Sequence, residues 1–500
     1  MSARRARARG GPARRGFGKK LVLAVIDGLR PDSLERGIQE GRAPALAQVM
    51  DEGVYVDDCV SAFPSVTPVC TSAIATGAGP DRHAIPAMNW FHRGEGRYVE
   101  YGSSLPATRA FGIQRSLTDT IYNLNLAHLS RRTPTLFESL DDGGLRTAGT
   151  TFMVYRGRHR HPISTESALA RLVGATLFRH AVYGPQELFY ADLFASRATG
   201  CRSQLGLPGA RDAHAGCVGA YLVEHDLFDF LLLSLPDNDA WSHRRGPEAQ
   251  LTSLELADQQ LERVMEAAGG PDKFLSEHAM ILLADHAHSQ VDSPIQLEDL
   301  VSGWRVLQPD DPLPEEAEVA LCPGQRAAMV YALDPELREG VVYDVVEAGL
   351  ESEAVDLALW LDDGEAVIAG EAGRLRFSPG EELADLRGER WRVDGELDVI
   401  AARVEDGVLV SDEYPDPLGR VWSALHCVHS GDILLSATPG YEFIDWGGAA
   451  HLGAGSHGSL RREDSLCPLL WCGAGPARTD TRAQWSVRDV EPMVRAHFGL

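Results

Sequence analysis

The stretch FPSVTPVCTSAIATG, residues 63–77, sets Ser65, Thr67, Cys70, Thr71, Ser72 and Thr76 behind a Phe-Pro turn. Hydroxyls are weak nucleophiles at neutral pH unless a base or a metal activates one of them, so an activator has to come from elsewhere in the chain. The candidates are carboxylates and imidazoles at the ends of apolar runs. Asp27 ends LVLAVID (21–27) and is followed by Gly28; Asp239 and His243 sit in PDNDAWSH; Asp285 and His286 follow AMILLA; His451 and His457 lie in AHLGAGSHG. A single Asp after a strand is usually a turn or cap residue, and a single loop His is usually solvated. Three strand ends that each deliver such donors are a different matter, because nitrogen and oxygen ligands of this kind suit zinc, manganese or iron. Asp-x-x-x-His at 239–243 also lets both side chains converge across one helical turn.

The elements that must position these groups are legible as patterns. LVLAVID (21–27), TAGTTFMV (147–154), FDFLLLSL (228–235), AMILLAD (279–285), AAMVYAL (327–333) and DILLSA (432–437) are continuous apolar runs. Such runs predict strands buried on both faces, as in a mostly parallel sheet covered by helices. Helical patterns alternate with them, among them SLELADQQLERVMEAAG (253–269), which ends at Gly-Gly-Pro. The expected fold class is a large α/β sandwich, in which ligands bind beyond the carboxyl ends of the strands. The segment 336–412 turns acidic with short strand-like pieces and reads as a small α+β insertion or lid. The expected organisation is a basic disordered tail (1–19), a catalytic core (20–335), the insertion (336–412) and a resumed core (413–500).

Charge and composition exclude several functions. The net charge is −25, and eight of the 47 basic residues lie in the first 20, so the body is more acidic still. A nucleic-acid polymer is therefore not the expected partner, because its phosphates would be repelled; a small phosphorylated substrate held through metal is compatible. No apolar run reaches the roughly 18–20 residues of a membrane span. The basic start followed by six apolar residues and Asp27 lacks a proper signal-peptide core, which points to the cytoplasm. The eight cysteines contain no CxxC pair and read as mostly reduced; Cys201 and Cys217 could pair in an oxidising compartment.

Taken together, VIDGLRPD, FPSVTPVCTSAIATG, DAWSHRRGP, LLADHAH and GSHG resemble, in order, the motifs of the alkaline phosphatase superfamily, specifically its nucleotide pyrophosphatase/phosphodiesterase branch. The resemblance implies an alkaline-phosphatase-like α/β/α sandwich and a two-metal hydrolase of phosphodiester or pyrophosphate bonds. Carried over, Asp27, Thr67, Asp285 and His286 would hold one divalent ion, and Asp239, His243 and His457 the other. Zinc is the expected metal, with manganese or iron as alternatives, and His451 is a rival for the place of His457. Thr67 would be the nucleophile, giving a phospho-threonine-type intermediate. A phosphomonoesterase or phosphonate hydrolase on the same site is the alternative, followed by a silent ligand-binding member. Two positions depart from the pattern: Cys70 stands where the family has an Asn near the phosphate, and His288 is an extra imidazole expected to face solvent or the pocket rim. Arg156 and Arg158, in VYRGRHRHP, are candidates for binding an anionic substrate, with a solvated basic loop as the blander reading. Two other motifs fail. GAGSHG lacks the strand–helix setting of a dinucleotide site, and the Cys70 segment lacks the Pro and Arg of a sulfatase.

Overall fold

A computed structural model describes residues 18–164, 180–479 and 482–500; the expected basic tail lies almost wholly outside them. Its main sheet has eight strands: β1 (Lys20–Ile26), β2 (Val54–Val60), β3 (Thr147–Thr150), β4 (Glu187–Tyr190), β5 (Phe194–Ala195), β6 (Phe230–Leu235), β7 (His278–Leu283) and β8 (Leu466–Cys472). They are ordered β2-β8-β7-β1-β6-β3-β4-β5. Four of the apolar runs form its centre as parallel neighbours, β7, β1, β6 and β3, while β8 and β5 run against the rest. Every residue of β6 and β7 is buried, so both faces are covered, as continuous apolar strands require. Among the helices, α1 (Thr67–Thr76), α2 (Arg211–Glu224), α3 (Asp237–Arg245) and α4 (Gln250–Glu266) bear on the site.

The other two apolar runs depart from the expected sheet. Ala327–Ala332 and Ile433–Ala437 pair antiparallel, Met329 opposite Leu434, inside a second, nine-stranded sheet. Strands from Val355–Asp362 onward, drawn from 336–412, extend that same sheet. A continuous apolar run reports only that both faces are covered. Here the helix Arg338–Glu351 packs on one face, so the pattern resembles that of a parallel strand.

Arg326 joins this sheet to the loop that carries His457. Its side chain is 1% exposed. Nη1 donates to Asp464 Oδ1 at 2.7 Å and to the Ser289 hydroxyl, and Nε donates to the Tyr441 carbonyl at 3.2 Å. Its backbone N–H donates to the carbonyl of His457 at 2.9 Å. Cys201 and Cys217 form a disulfide with Cα atoms 5.9 Å apart, and the other six cysteines are free and buried. Among the described residues no helix is long and apolar enough to cross a membrane.

Removing one partner of a buried ion pair strands the other charge. Arg326→Met is therefore expected to destabilise the protein by about 3–5 kcal/mol, measured by urea unfolding; a change within about 0.5 kcal/mol would contradict this account of the junction.

Candidate metal centre

Parallel registry places the carboxyl ends of β1, β6 and β7 side by side, Ile26 opposite Leu235 and Val25 opposite Leu283. Asp27 follows β1 directly, α3 starts two residues after β6 and brings Asp239 and His243, and Asp285-His286 follow β7. Local bonds hold the turns in place. The Asp285 carboxylate accepts from the N–H groups of Gly28 and His286, both at 3.1 Å. Asn238 donates to the Asp27 carbonyl at 2.8 Å, and Gln250 to that of Gly28 at 2.7 Å.

His457 arrives from a distant part of the chain. The turn before α1 and the loop 457–459 are stapled together: Ser65 N–H donates to Gly458 O at 3.2 Å, the Ser65 hydroxyl to Ser459 O at 2.8 Å, and His457 Nδ1–H to Ser65 O at 2.8 Å. The hydroxyl-rich segment and His457 are thereby one unit.

The donors form two adjoining groups. In the first, His286 Nε2 lies 3.2 Å from Thr67 Oγ1, 3.6 Å from Asp27 Oδ1 and 3.6 Å from Asp285 Oδ2. In the second, Asp239 Oδ1 lies 3.2 Å from His243 Nε2 and 3.5 Å from His457 Nε2, with the two imidazole nitrogens 3.2 Å apart. Asp239 stands between the groups, since its carboxylate also comes within 4.8 Å of donor atoms of Asp27 and His286. His243, His457 and His286 each direct Nδ1–H at a carbonyl (Gly455, Ser65 and Ala287), which leaves Nε2 as a lone pair facing the cluster. A backbone acceptor on the far nitrogen is the usual way a metal-binding imidazole is oriented.

The electrostatics suit a cation. Burial, followed by the carboxylates of Asp285 and Asp239, pushes Asp27 well above the usual carboxylate range. Burial acts on Asp239 in the same sense, but His243, His288 and His457 hold it well below. Burial lowers His286 to about 4, so it is neutral at physiological pH. Among the described residues Asp27 Oδ1 and Asp285 Oδ2 are buried without a hydrogen-bond partner. Crowded carboxylates with orphaned oxygens, next to imidazoles whose Nε2 faces the cluster, fit two divalent ions.

Thr67 opens α1 and is half-buried. The other hydroxyls of α1 turn back onto its own backbone: Thr71 onto Thr67 O, Ser72 onto Pro68 O and Thr76 onto Ser72 O, each at 2.6 Å. Thr67, Asp27 and Asp285 are among the residues that line a cavity of about 400 Å³. Leu117, Ile121, Phe152, Met153, Tyr190 and Leu193 are among its other lining residues, and Arg211 is the one cation among the described residues that line it.

Several candidates are not brought here. Cys70 is buried with its sulfur 4.0 Å from the Ala62 carbonyl; Thr71, one turn beyond Thr67, lines the cavity, and Cys70 is about 100° away from Thr71 around the helix. Arg156 is buried and bonded to Glu138 and the carbonyls of Leu129, Ser130 and Thr133. Arg158 pairs with Glu138 and Asp142. Neither arginine lines the cavity, because nearby acids and carbonyls already engage them. His451 bonds to Glu442 at 2.7 Å beside the second group and is not one of its donors. His288, expected at the rim, is 1% exposed and inside the second group, with Nε2 3.0 Å from Asp239 Oδ1. Its signal was the alternation in DHAH, since residues two apart in extended chain share a side. Arg211 left no comparable signal.

The family model for type I phosphodiesterase / nucleotide pyrophosphatase matches residues 21–460. No curated protein matches the chain. Among solved structures, murine ectonucleotide pyrophosphatase / phosphodiesterase 5 is similar with a TM-score of 0.57 at 12% identity, covering 96% of this chain and 95% of that one. A second structure of it is an inactive form in complex with AMP, at 13% identity. Phosphonoacetate hydrolase from Sinorhizobium meliloti 1021, in complex with phosphonoformate, is similar with a TM-score of 0.54 at 16% identity, covering 96% of each chain. At these identities the likeness is one of fold, the alkaline-phosphatase-like α/β arrangement expected from the sequence.

Ligands that bind only the native state stabilise it. Zinc or manganese at about 100 times its dissociation constant is expected to add about 2.7 kcal/mol, seen as a raised thermal midpoint. Asp239→Asn, at the junction of both groups, is expected to lose most of that gain; an unchanged midpoint in the native protein would remove the metal assignment.

Proposed function

Because the chain belongs to the type I phosphodiesterase / nucleotide pyrophosphatase family and is a hydrolase of that type, we propose that it cleaves phosphodiester or pyrophosphate bonds through Thr67. In this reading Asp27, Thr67, Asp285 and His286 hold one divalent ion and Asp239, His243 and His457 the other. Zinc is the first choice and manganese or iron the alternatives. The observation that carries the reading is the position of Thr67. Its hydroxyl is 3.2 Å from the Nε2 of His286, and half-buried Thr67 lines the cavity together with Asp27 and Asp285.

Bound divalent ions would lower the pKa of the Thr67 hydroxyl and offset negative charge on the phosphoryl oxygens. The protein does the rest. Thr67 Oγ1 gives its proton to solvent and attacks phosphorus; an Oγ1–P bond forms, the P–O bond to the leaving group breaks, and the released oxygen takes a proton from solvent. Water then attacks phosphorus, the Oγ1–P bond breaks, and Thr67 recovers its proton. The stapling of the Ser65 turn to the 457–459 loop keeps Thr67 aligned through both steps, as an in-line displacement requires.

The cavity wall favours a diester over a monoester. A monoester brings one more anionic oxygen, and the cation closest at hand has little to offer it. Arg211 directs Nε to Asp237 at 2.8 Å and Nη2 to the Pro236 carbonyl at 2.7 Å. The apolar side chains suit an esterified organic group. The AMP complex of the similar murine protein makes nucleotides the first substrates to try, and phosphonates are the second class because of the phosphonoacetate hydrolase likeness. The acidic body remains the argument against a nucleic-acid polymer. The Cys201–Cys217 disulfide favours an oxidising compartment over the cytoplasm.

The test compares bis(p-nitrophenyl) phosphate with p-nitrophenyl phosphate, using native protein and Thr67→Ala, each reconstituted with zinc and with manganese. The native protein is expected to prefer the diester, and Thr67→Ala to lose at least about 10³-fold in kcat/KM. A monoester preference would make it a phosphatase on the same site. Activity retained by Thr67→Ala would assign another nucleophile, and no activity with either metal would favour a binding role.

A further inference from the structure

The second donor group contains one imidazole more than the resemblance implies. His288 Nε2 is 3.0 Å from Asp239 Oδ1, where His243 Nε2 is at 3.2 Å and His457 Nε2 at 3.5 Å, and the last two are 3.2 Å from each other. An ion with four tetrahedral bonds of about 2.1 Å separates its ligands by about 3.4 Å, so all four distances are close to the edges of one coordination tetrahedron. Donor atoms of Asp239, His243, His288 and His457 all lie within 4.8 Å of one another, and the His288 ring centroid is 4.8 Å from those of both His243 and His457.

The surroundings make room for this ring. Gly28 has φ +67°, and a Cβ there would stand 2.6 Å from His288 Nε2; a Cβ on Gly455 would stand 3.2 Å from its Nδ1. The ring's Nδ1 has no hydrogen-bond partner among the described residues, unlike the carbonyl-anchored His243 and His457. Its place is set by packing and by what lies at Nε2.

We propose that His288 is the fourth protein ligand of the ion at the Asp239 group, making a closed set of one carboxylate and three imidazoles. The proposal rests on the two-ion reading above. It gives the two groups different work. Four protein ligands and one negative charge leave a divalent ion at this group tightly held and with a net positive charge, which draws in the substrate phosphoryl group. At the other group the carboxylates of Asp27 and Asp285 neutralise the ion, and the fourth donor is the reacting hydroxyl of Thr67.

The test counts imidazoles. Full-length protein is freed of metal, given one equivalent of zinc, and its zinc coordination read by X-ray absorption fine structure; Co²⁺ in place of zinc reports coordination number through its visible spectrum. Native protein is expected to show three imidazoles and the intense visible bands of four-coordinate cobalt. His288→Ala is expected to lose one imidazole and those bands. Two imidazoles in the native protein would reduce His288 to a group that orients Asp239, with the two-ion reading intact. One imidazole would place the first ion at the Thr67 group, overturning the proposal that the Asp239 group is a closed, tightly holding set of four protein ligands. Failure of the native protein to retain zinc would overturn this proposal and the two-ion reading together. If His288→Ala does not fold, the native count alone decides.

Discussion

Three carboxylates, those of Asp27, Asp239 and Asp285, converge at adjacent strand ends where water is largely excluded, and the rest of the site is arranged around their mutual repulsion. The strain falls unevenly. Asp27 is pushed up by burial and then by its two carboxylate neighbours, whereas Asp239 is drawn down, against burial, by the imidazoles packed around it. Backbone N–H groups satisfy only one oxygen of Asp285, and the orphaned oxygens of Asp27 and Asp285 remain. A fold does not gain stability from such crowding. It is the kind of local conflict expected where a site is prepared for a cation.

Positions within the cluster are held mainly by main chain. Three imidazoles are oriented by carbonyls of Gly455, Ser65 and Ala287, which also decide which nitrogen faces inward. Because Ser65 is bonded to Gly458, Ser459 and His457, the hydroxyl that would react and one of the imidazoles share a support. Arg326 ties that support to the second sheet through His457 and Asp464. The nine-stranded sheet is thus mechanically connected to the site although its strands contribute no donor to either group.

An acidic protein that acts on phosphates has to overcome its own charge only at close range, since exposed charges are screened beyond about 8 Å in physiological salt. Arg156 and Arg158 of VYRGRHRHP do not serve that purpose, since both are paired locally. Arg211 reaches the cavity but is engaged by Asp237. In the proposed mechanism the attraction for the phosphoryl group therefore falls to the ions, and the apolar wall selects the organic part.

The sequence alone determined what each strand ends in. A continuous apolar run followed by Asp27, or by Asp285-His286, can be read from the chain because burial and chemistry sit within a few consecutive residues. The hydroxyl-rich segment behind Phe63-Pro64 was legible for the same reason, and its order relative to the other motifs carried the family resemblance. What only the tertiary structure decided is which groups meet. His288 looked like a rim residue until Gly28 and Gly455, from two other segments, made space for its ring beside Asp239. Arg156 looked available until Glu138 took it, and Arg211 had no mark until α2 brought it to the cavity. The runs 327–333 and 432–437 looked like parallel core strands but pair antiparallel elsewhere. Local pattern reports how far a segment is covered; which side chains share a site depends on long-range strand pairing and packing, which no single stretch of the chain contains.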